Sequence, residues 1–213
     1  MNLTYVETQN TQNHPKKLVV LLHGYGSNAE DLISLAPEFA EVLPDAHFIS
    51  PNAPFEFEGG LPNTYQWFSL HNVTIEEIEK QVILANEILG NFLDEQLARF
   101  GLKDENLILI GFSQGAMISM YHSLRREEEI LGVLGYSGKL LGIDDMDSKV
   151  HSKPRMCLIH GTEDSLVPFE SLGEAELVLG KYGVKIEAHS IVGLDHGINS
   201  EGIEIGKEFL GNL

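Results

Sequence analysis

The sequence is poor in cysteine: Cys157 is the only one, so the chain cannot form an internal disulfide. Proteins with so little cysteine are typical of a reducing compartment, and we expect a cytoplasmic location. Cys157 lies in the apolar run over 156–159, which predicts a buried, small hydrophobic side chain there and not a nucleophile.

Long hydrophobic runs and basic residues are also scarce. Runs such as 18–22 are far shorter than the roughly 20 apolar residues of a membrane-spanning helix, so no membrane span is expected. Residues 1–7 show neither the basic region nor the long apolar region of a secretory signal. Only 14 lysines and arginines stand against 32 aspartates and glutamates, which gives a formal net charge of −18. Such a charge repels nucleic-acid phosphates and anionic membranes, so neither is an expected partner.

Three further absences concern organisation and cofactors. The sequence has no internal repeat and no low-complexity tract, and its glycines and prolines are not pooled into a linker, so one domain over 1–213 is expected. It lacks the dinucleotide-binding pattern Gly-x-Gly-x-x-Gly and the zinc-site pattern His-Glu-x-x-His. We therefore expect neither an organic cofactor nor a metal.

What the sequence does contain is an alternation of two kinds of segment. Six runs are apolar on successive residues, which is typical of strands buried on both faces of a parallel sheet: 17–22, 46–50, 106–110, 131–136, 155–159 and 185–192. Residues 3–7 fit an added edge strand. Segments with helical spacing lie between these runs, over 29–42 with an interruption at Pro37, 74–100, 114–124, 169–182 and 199–210. This alternation predicts an α/β fold with a mostly parallel sheet.

One of the predicted strands runs directly into the pentapeptide Gly-Phe-Ser-Gln-Gly over 111–115, and a helical pattern follows it. The pattern Gly-x-Ser-x-Gly between a strand and a helix is typical of a nucleophile elbow, a tight turn that lifts the serine hydroxyl above the sheet. Glycines suit such a turn because backbone segments approach each other there and Cβ atoms would collide. We therefore predict that Ser113 is a nucleophile.

A serine nucleophile needs a base, usually a histidine that a carboxylate orients. In the chain order of α/β hydrolases the acid and then the base follow the serine, which leaves two of the nine histidines. His189 falls inside a predicted strand, whereas His196 follows that strand in a loop beside glycines, so His196 is the predicted base. Asp164 is the predicted acid, and Glu163 is the local alternative. Asp195 adjoins His196, but neighbouring side chains generally diverge.

An oxyanion intermediate needs two preorganised hydrogen-bond donors. The backbone N–H of Gln114, at the start of a predicted helix, is one candidate. The glycine-containing turn over 23–28 follows an earlier strand, and the backbone N–H of Tyr25 is the second candidate. The alternative is that His23 merely marks a turn with a buried histidine.

The segment 55–70 has no convincing strand or helix pattern, and we interpret it as a lid or acyl-binding loop. Trp67 and Phe68 are candidates for lining a substrate groove. The alternative, which the sequence does not decide, is that Trp67 packs the loop onto the sheet.

Together these motifs resemble the phospholipase/carboxylesterase family of α/β hydrolases, which includes the acyl-protein thioesterases. The resemblance extends from residue 18 to about residue 209 and rests on the segments 22–26, 51–54, 66–68, 111–115, 136–138, 160–168 and 193–196. It implies a catalytic triad of Ser113, Asp164 and His196, with the N–H groups of Tyr25 and Gln114 as oxyanion donors. It also implies an α/β-hydrolase sheet with helices on both faces and no large cap domain.

The expected function is hydrolysis of carboxylesters through an acyl-enzyme on Ser113, with thioesters or lysophospholipids as further substrates. The expected partner is a small-molecule or lipid-like ester, and the chain is expected to be a monomer or a homodimer. Alternatives are an acyl-protein thioesterase, a peptidase or acyltransferase with the same triad, and a non-catalytic binding protein. A binding protein would be free to lose a catalytic residue, and none is missing here.

Overall fold

A computed structural model describes residues 2–8 and 14–213. Its main sheet has seven strands in the order β1-β3-β2-β6-β7-β8-β9, and all neighbours are parallel except β1, which is antiparallel to β3. A separate hairpin joins β4 and β5. The strands are β1 (Tyr5–Glu7), β2 (Lys17–Leu22), β3 (Ala46–Pro51), β4 (Phe55–Glu56), β5 (Tyr65–Gln66), β6 (Leu107–Phe112), β7 (Gly132–Tyr136), β8 (Arg155–Gly161) and β9 (Ile186–Ile191).

The central strands are apolar on successive residues because both of their faces are covered. In β2, Val19 and Leu21 belong to one hydrophobic cluster, whereas Leu18 and Val20 belong to a second cluster on the opposite face. The edge strand β9 has only its last residue fully buried. The six predicted strands and the added strand near residues 3–7 are confirmed, with small shifts at their ends. The run over 185–192 was expected to be buried on both faces, but it forms the edge strand β9, which has a neighbouring strand on one side only.

Within the described residues, seven α-helices cover the sheet: α1 (Ala29–Ile33), α2 (Ala36–Ala40), α3 (Ile75–Phe100), α4 (Gln114–Arg125), α5 (Met146–Lys149), α6 (Glu170–Lys181) and α7 (Ser200–Gly211). Residues of α3, α4 and α6 enter one hydrophobic cluster, and residues of α1, α2 and α7 enter the other. The sheet is therefore packed between two helical layers. Within the described residues, no helix combines the length and apolarity that a bilayer crossing requires.

The ends of the helices follow local chemistry. Thr74 and Glu77 form a capping box before α3, and Gly101 ends that helix in the left-handed conformation with a φ of +67°. The predicted helix over 29–42 is divided into α1 and α2, and Pro37 lies in the first turn of α2, where no N–H is required. The predicted interruption at Pro37 is thus confirmed.

Two elements differ from the sequence-based prediction. The segment 55–70, expected to lack regular structure, contains the hairpin of β4 and β5, and the short helix α5 was not predicted. Each hairpin strand has only two residues, which is too short for a period to appear in the sequence. Their pairing depends on contacts with the rest of the chain, which are described below.

The one cysteine has the environment that was expected. Cys157 lies in β8 with no exposed surface, and burial raises the pKa of its thiol to about 12. A neutral, buried thiol is a poor nucleophile, so the prediction of a packing role is confirmed.

Candidate active site

Ser113 lies in the turn between β6 and α4 and has strained backbone angles. Its φ is +54° and its ψ is −118°, a conformation that residues other than glycine rarely adopt. The Ser113 N–H donates to the carbonyl oxygen of Tyr136 at 2.9 Å, which attaches the turn to β7. Only 8% of Ser113 is exposed. A strained serine between a strand and a helix is the geometry that the pentapeptide predicted.

The glycines of the pentapeptide allow the close approach of three backbone segments. A Cβ atom on Gly115 would lie 1.7 Å from the carbonyl oxygen of Leu22 at the end of β2. A Cβ atom on Gly111 would lie 2.4 Å from the carbonyl oxygen of Gly115. Helix α4 therefore begins directly against the end of β2, and any side chain at these positions would force the elbow apart.

Because this contact is backbone against backbone, we expect Gly115→Ala to lower the free energy of unfolding by roughly 3 kcal/mol or more. Gly173→Ala in α6 is the matched control, since nothing lies within 4 Å of a Cβ atom there. That control is expected to raise stability by about 1 kcal/mol through helix propensity. Urea denaturation of both variants measures the difference, and equal stability of the two would contradict the packing argument.

Asp164 follows β8 and is saturated with hydrogen-bond donors. Its Oδ1 atom accepts from the backbone N–H groups of Leu166 at 2.9 Å and Val167 at 2.8 Å, and its Oδ2 atom lies 2.8 Å from His196 Nδ1. The side chain has no exposed surface. Burial by itself would raise the pKa of Asp164, but the donors from Val167, His196 and Leu166 outweigh it and hold the pKa below its usual value. The carboxylate is therefore ionised at neutral pH.

A second imidazole, which sequence reasoning assigned no part, approaches the same carboxylate. His160 Nε2 lies 3.2 Å from Asp164 Oδ2 and 3.0 Å from the carbonyl oxygen of Val167, and 1% of His160 is exposed. Since a carbonyl accepts only, Nε2 carries a proton in this arrangement. The four-residue spacing of a histidine and an aspartate after a buried strand was the only sequence signal for this contact.

The loops that carry Asp164 and His196 are packed tightly together. A Cβ atom on Gly161 would lie 2.1 Å from the carbonyl oxygen of Leu194. Asp195 Oδ1 accepts from the backbone N–H groups of Ser165 at 2.9 Å and His196 at 2.7 Å, so it joins the two loops without orienting the imidazole. The other two alternatives do not reach the site: the Glu163 side chain is exposed, and His189 lies within β9 beside Glu187.

His196 also lies against the residue that precedes the serine. Its ring centroid is 4.9 Å from that of Phe112. Among the described residues, no hydrogen bond connects the Ser113 hydroxyl to His196. Such bonds are often long without substrate and tighten when it binds. The structure thus brings Asp164 and His196 into direct contact and holds His196 beside the elbow.

The turn over 23–28 lies next to the serine. A Cβ atom on Gly24 would be 3.3 Å from the Cβ of Ser113. His23 is fully buried: its Nε2 atom accepts from the Ala53 N–H at 3.0 Å and its Nδ1 atom lies 2.7 Å from the Gly24 carbonyl oxygen. Burial lowers the pKa of His23 to about 4, so the imidazole is neutral. His23 is therefore a buried turn histidine, and the turn that it stabilises is still adjacent to Ser113.

Trp67 and Phe68, the candidates for a substrate groove, have 0% and 2% of their surface exposed. Trp67 Nε1 donates to the carbonyl oxygen of His23 at 2.9 Å. The Gln114 side chain accepts from the Trp67 N–H at 3.0 Å and donates to the Phe68 carbonyl oxygen at 2.8 Å. This burial favours the packing interpretation, in which Trp67 attaches the hairpin to the elbow. No feature of the sequence indicated that the Gln114 side chain would join the elbow to Trp67 and Phe68.

Several remaining histidines have structural partners elsewhere. His47 Nε2 lies 2.7 Å from a carboxylate oxygen of Glu7, and His122 Nδ1 lies 2.8 Å from Asn86 Oδ1. Within residues 2–8 and 14–213, no group of three or more His, Cys, Asp or Glu side chains is arranged to hold a metal ion.

Comparison with known proteins shows to which family this chain belongs. The Phospholipase/Carboxylesterase family model matches residues 3–213. The chain is 26% identical to acyl-protein thioesterase 1 of Emericella nidulans over 211 residues. This alignment covers 90% of this chain and 88% of that protein. It is 25% identical to esterase YpfH of Escherichia coli over 208 residues, and this alignment covers 95% of this chain and 85% of that protein. It superposes on the crystal structure of esterase PE8 with a TM-score of 0.94 and 33% identity, covering 100% and 99% of the two chains.

The fold agrees with these comparisons. The mostly parallel sheet carries helices on both faces, and the described residues include no large cap domain, so the predicted α/β-hydrolase fold is confirmed. The family match over almost the whole chain shows that the chain belongs to the phospholipase/carboxylesterase family of α/β hydrolases and is a hydrolase of the esterase type.

Proposed function

We propose that this hydrolase cleaves carboxylic esters by two-step acyl transfer, with Ser113 as nucleophile, His196 as general base and Asp164 as the acid that orients it. The hydrogen bond between His196 and the buried Asp164, beside the strained Ser113 turn, carries the proposal. The esterase names of relatives that match nearly the whole chain support it.

In the first step, His196 Nε2 takes the Ser113 proton as the hydroxyl oxygen attacks the ester carbonyl. The carbonyl π electrons move onto oxygen, and the resulting oxyanion accepts hydrogen bonds from the Tyr25 and Gln114 N–H groups. When the tetrahedral intermediate collapses, the bond to the leaving alcohol breaks and His196 gives that alcohol its proton. Ser113 then carries the acyl group.

In the second step, water attacks the acyl-enzyme and gives its proton to His196. A second tetrahedral intermediate collapses, releases the carboxylic acid and returns the proton to Ser113. Asp164 holds the imidazole with Nδ1 protonated and Nε2 free to accept in both steps, and its negative charge stabilises the imidazolium. The two backbone donors on Oδ1 keep the carboxylate in place during this cycle.

The activity is expected to fall on the acid side of neutrality, because His196 must be unprotonated to act as base. The pKa of Asp164 is already lowered, so this carboxylate stays ionised while the imidazole takes up its proton. We therefore expect log kcat/KM to fall toward acid pH, approaching a slope of one, because uptake of a single proton removes the base. A pH profile with a soluble ester measures this. A flat profile down to about pH 4 would exclude an imidazole base.

The proposal is tested by hydrolysis of p-nitrophenyl esters from acetyl to palmitoyl, together with labelling by a fluorophosphonate. We expect turnover of at least one ester and a covalent adduct on the peptide that contains Ser113. An adduct on another residue would overturn the assignment of the nucleophile. If the protein neither turns over any ester nor forms an adduct, the proposed function is wrong and a binding role replaces it.

Thioester hydrolysis is a second candidate, because several relatives are named acyl-protein thioesterase 1. The same residues would act, and a thiol would leave instead of an alcohol. Parallel rates for an oxygen ester and the matching S-acyl compound discriminate the two. The oligomeric state, the cytoplasmic location and the single domain stay predictions from the sequence.

A further inference from the structure

The hairpin of β4 and β5 is in contact with the turn that follows β2. The Gly26 N–H donates to the Tyr65 carbonyl oxygen at 2.9 Å, and the Tyr65 N–H donates to the Ser27 carbonyl oxygen at 2.8 Å. The Phe57 ring meets the Tyr25 ring edge-on, with centroids 4.8 Å apart and an interplanar angle of 87°. Two backbone hydrogen bonds and a ring contact thus attach the hairpin to this turn.

Glu58 is the centre of this arrangement. Its Oε1 atom accepts hydrogen bonds from the Tyr25 hydroxyl, from the Leu70 N–H at 2.9 Å and from the His71 N–H at 3.2 Å. Its Oε2 atom accepts from the Ser69 hydroxyl. One carboxylate thus joins the Tyr25 side chain to three consecutive residues after the hairpin.

The protonation states of Glu58 and Tyr25 favour a hydrogen bond between the Tyr25 hydroxyl and the Glu58 carboxylate. Glu58 is exposed, and partial desolvation by itself would raise its pKa, but the four donors outweigh this effect and lower the pKa to about 2, so the carboxylate is ionised. Burial and the neighbouring Glu58 carboxylate raise the pKa of Tyr25, so the phenol keeps its proton and remains a donor. Hydrogen bonds from neutral donors to a carboxylate are stronger than those between neutral groups.

We propose that Glu58 is a positioning residue for catalysis: by holding the Tyr25 side chain, it fixes the Tyr25 backbone N–H at the place where the oxyanion forms. The inference rests on the proposed function, since it assigns a support to one of the proposed oxyanion donors. Displacement of such a donor by as little as about 0.5 Å weakens transition-state stabilisation. The Gln114 side chain bonds the backbone of Trp67 and Phe68, which directly precede Ser69. The segment that Glu58 holds is therefore also attached to the residue that carries the second proposed donor.

The test compares Glu58→Ala with Glu58→Gln, Tyr25→Phe and the control Glu56→Ala, using p-nitrophenyl acetate. The Glu56 side chain is exposed and, within the described residues, makes no hydrogen bond or ion pair. We expect Glu58→Ala to lower kcat about tenfold and KM to change less than about twofold, because loss of a whole oxyanion donor costs about 100- to 1,000-fold. Glu58→Gln keeps the Oε1 acceptor and should restore most of the rate, and Glu56→Ala should match wild type.

Two further measurements separate positioning from general stability. Tyr25→Phe should lose as much kcat as Glu58→Ala, and the double variant should lose no more, because both changes break one connection. Affinity for a trifluoromethyl ketone, which forms a tetrahedral oxyanion on the serine, should fall by the same factor as kcat/KM. A purely structural role would lower the melting temperature and leave the ketone affinity of the folded protein unchanged.

The outcomes are distinguishable from failure of the proposed function. Wild-type rates and ketone affinity in Glu58→Ala and Tyr25→Phe would overturn the positioning role while ester hydrolysis stands. If Glu58→Ala fails to fold, Tyr25→Phe decides, since it removes only the hydroxyl that donates to Glu58 and keeps the contact of the ring with Phe57. Absence of turnover and ketone binding in wild type itself would overturn the proposed function, and the positioning role with it.

Discussion

Ser113→Ala is expected to lower kcat for ester hydrolysis about a million-fold, to the level that substrate binding and the oxyanion donors alone sustain. The loss is this large because no covalent intermediate can form without the hydroxyl, and His196 then has no serine proton to accept. Alanine fits the elbow, since it is smaller than serine and the strained backbone of Ser113 is held by neighbouring strands. The measurement is steady-state hydrolysis of the best p-nitrophenyl ester.

Ser137→Ala is the matched control for this prediction. Ser137 lies at the end of the adjacent strand β7, also has a positive φ of +49°, and its buried hydroxyl has no hydrogen-bond partner in the described chain. Its removal is expected to leave kcat within about twofold of wild type and to cost little stability, since no hydrogen bond is lost. Retention of even a tenth of the activity in Ser113→Ala would exclude Ser113 as the nucleophile.

Asp164→Asn is expected to lower kcat about 10,000-fold. The size of the effect follows from how the carboxylate is held. Two backbone N–H groups point at Oδ1, so the asparagine carbonyl oxygen must stay there and its NH₂ group must take the place of Oδ2, opposite His196 Nδ1. That NH₂ group can only donate, which drives the imidazole proton from Nδ1 to Nε2. With Nε2 protonated, His196 can no longer accept the proton from Ser113.

The neighbouring carboxylate provides the control for this second prediction. The Glu163 side chain is exposed and has no hydrogen-bond partner among residues 2–8 and 14–213, so Glu163→Gln is expected to retain wild-type kcat. Near-equal losses in the two variants would show that the negative charge of the loop matters and not the contact with His196. A large loss confined to Glu163→Gln would reverse the assignment of the acid.

The strands and main helices were predictable because their causes are local. A strand covered on both faces requires apolar residues in succession, as in β2, and a helix start such as that of α3 is written in the capping pair Thr74 and Glu77. Candidate catalytic residues were predictable for a related reason. Chemistry restricts a nucleophile, base and acid to few residue types, and the chain order of the fold left one histidine in a suitable loop.

The contacts around those residues were not predictable, because each joins segments far apart in the sequence. Nothing near Glu58 in the sequence indicates that its carboxylate accepts a hydrogen bond from the hydroxyl of Tyr25, 33 positions away. The same holds for Trp67, which looked equally suited to a groove until its indole was found buried against His23. Composition and the periodicity of apolar residues indicate which side chains are buried, but they do not indicate which part of the protein each one contacts.

The α/β architecture, the serine turn and the residue types available for ester hydrolysis can therefore be derived from short segments, since they follow from local burial, backbone sterics and side-chain chemistry. How these groups are supported depends on the folded chain: two backbone donors and a second imidazole contact Asp164, and Glu58 beside the hairpin holds the side chain of Tyr25 in the turn next to Ser113. The physical reason is that hydrogen bonds and close packing depend on distances in space, which the parallel sheet creates by bringing the ends of separate strands to one edge.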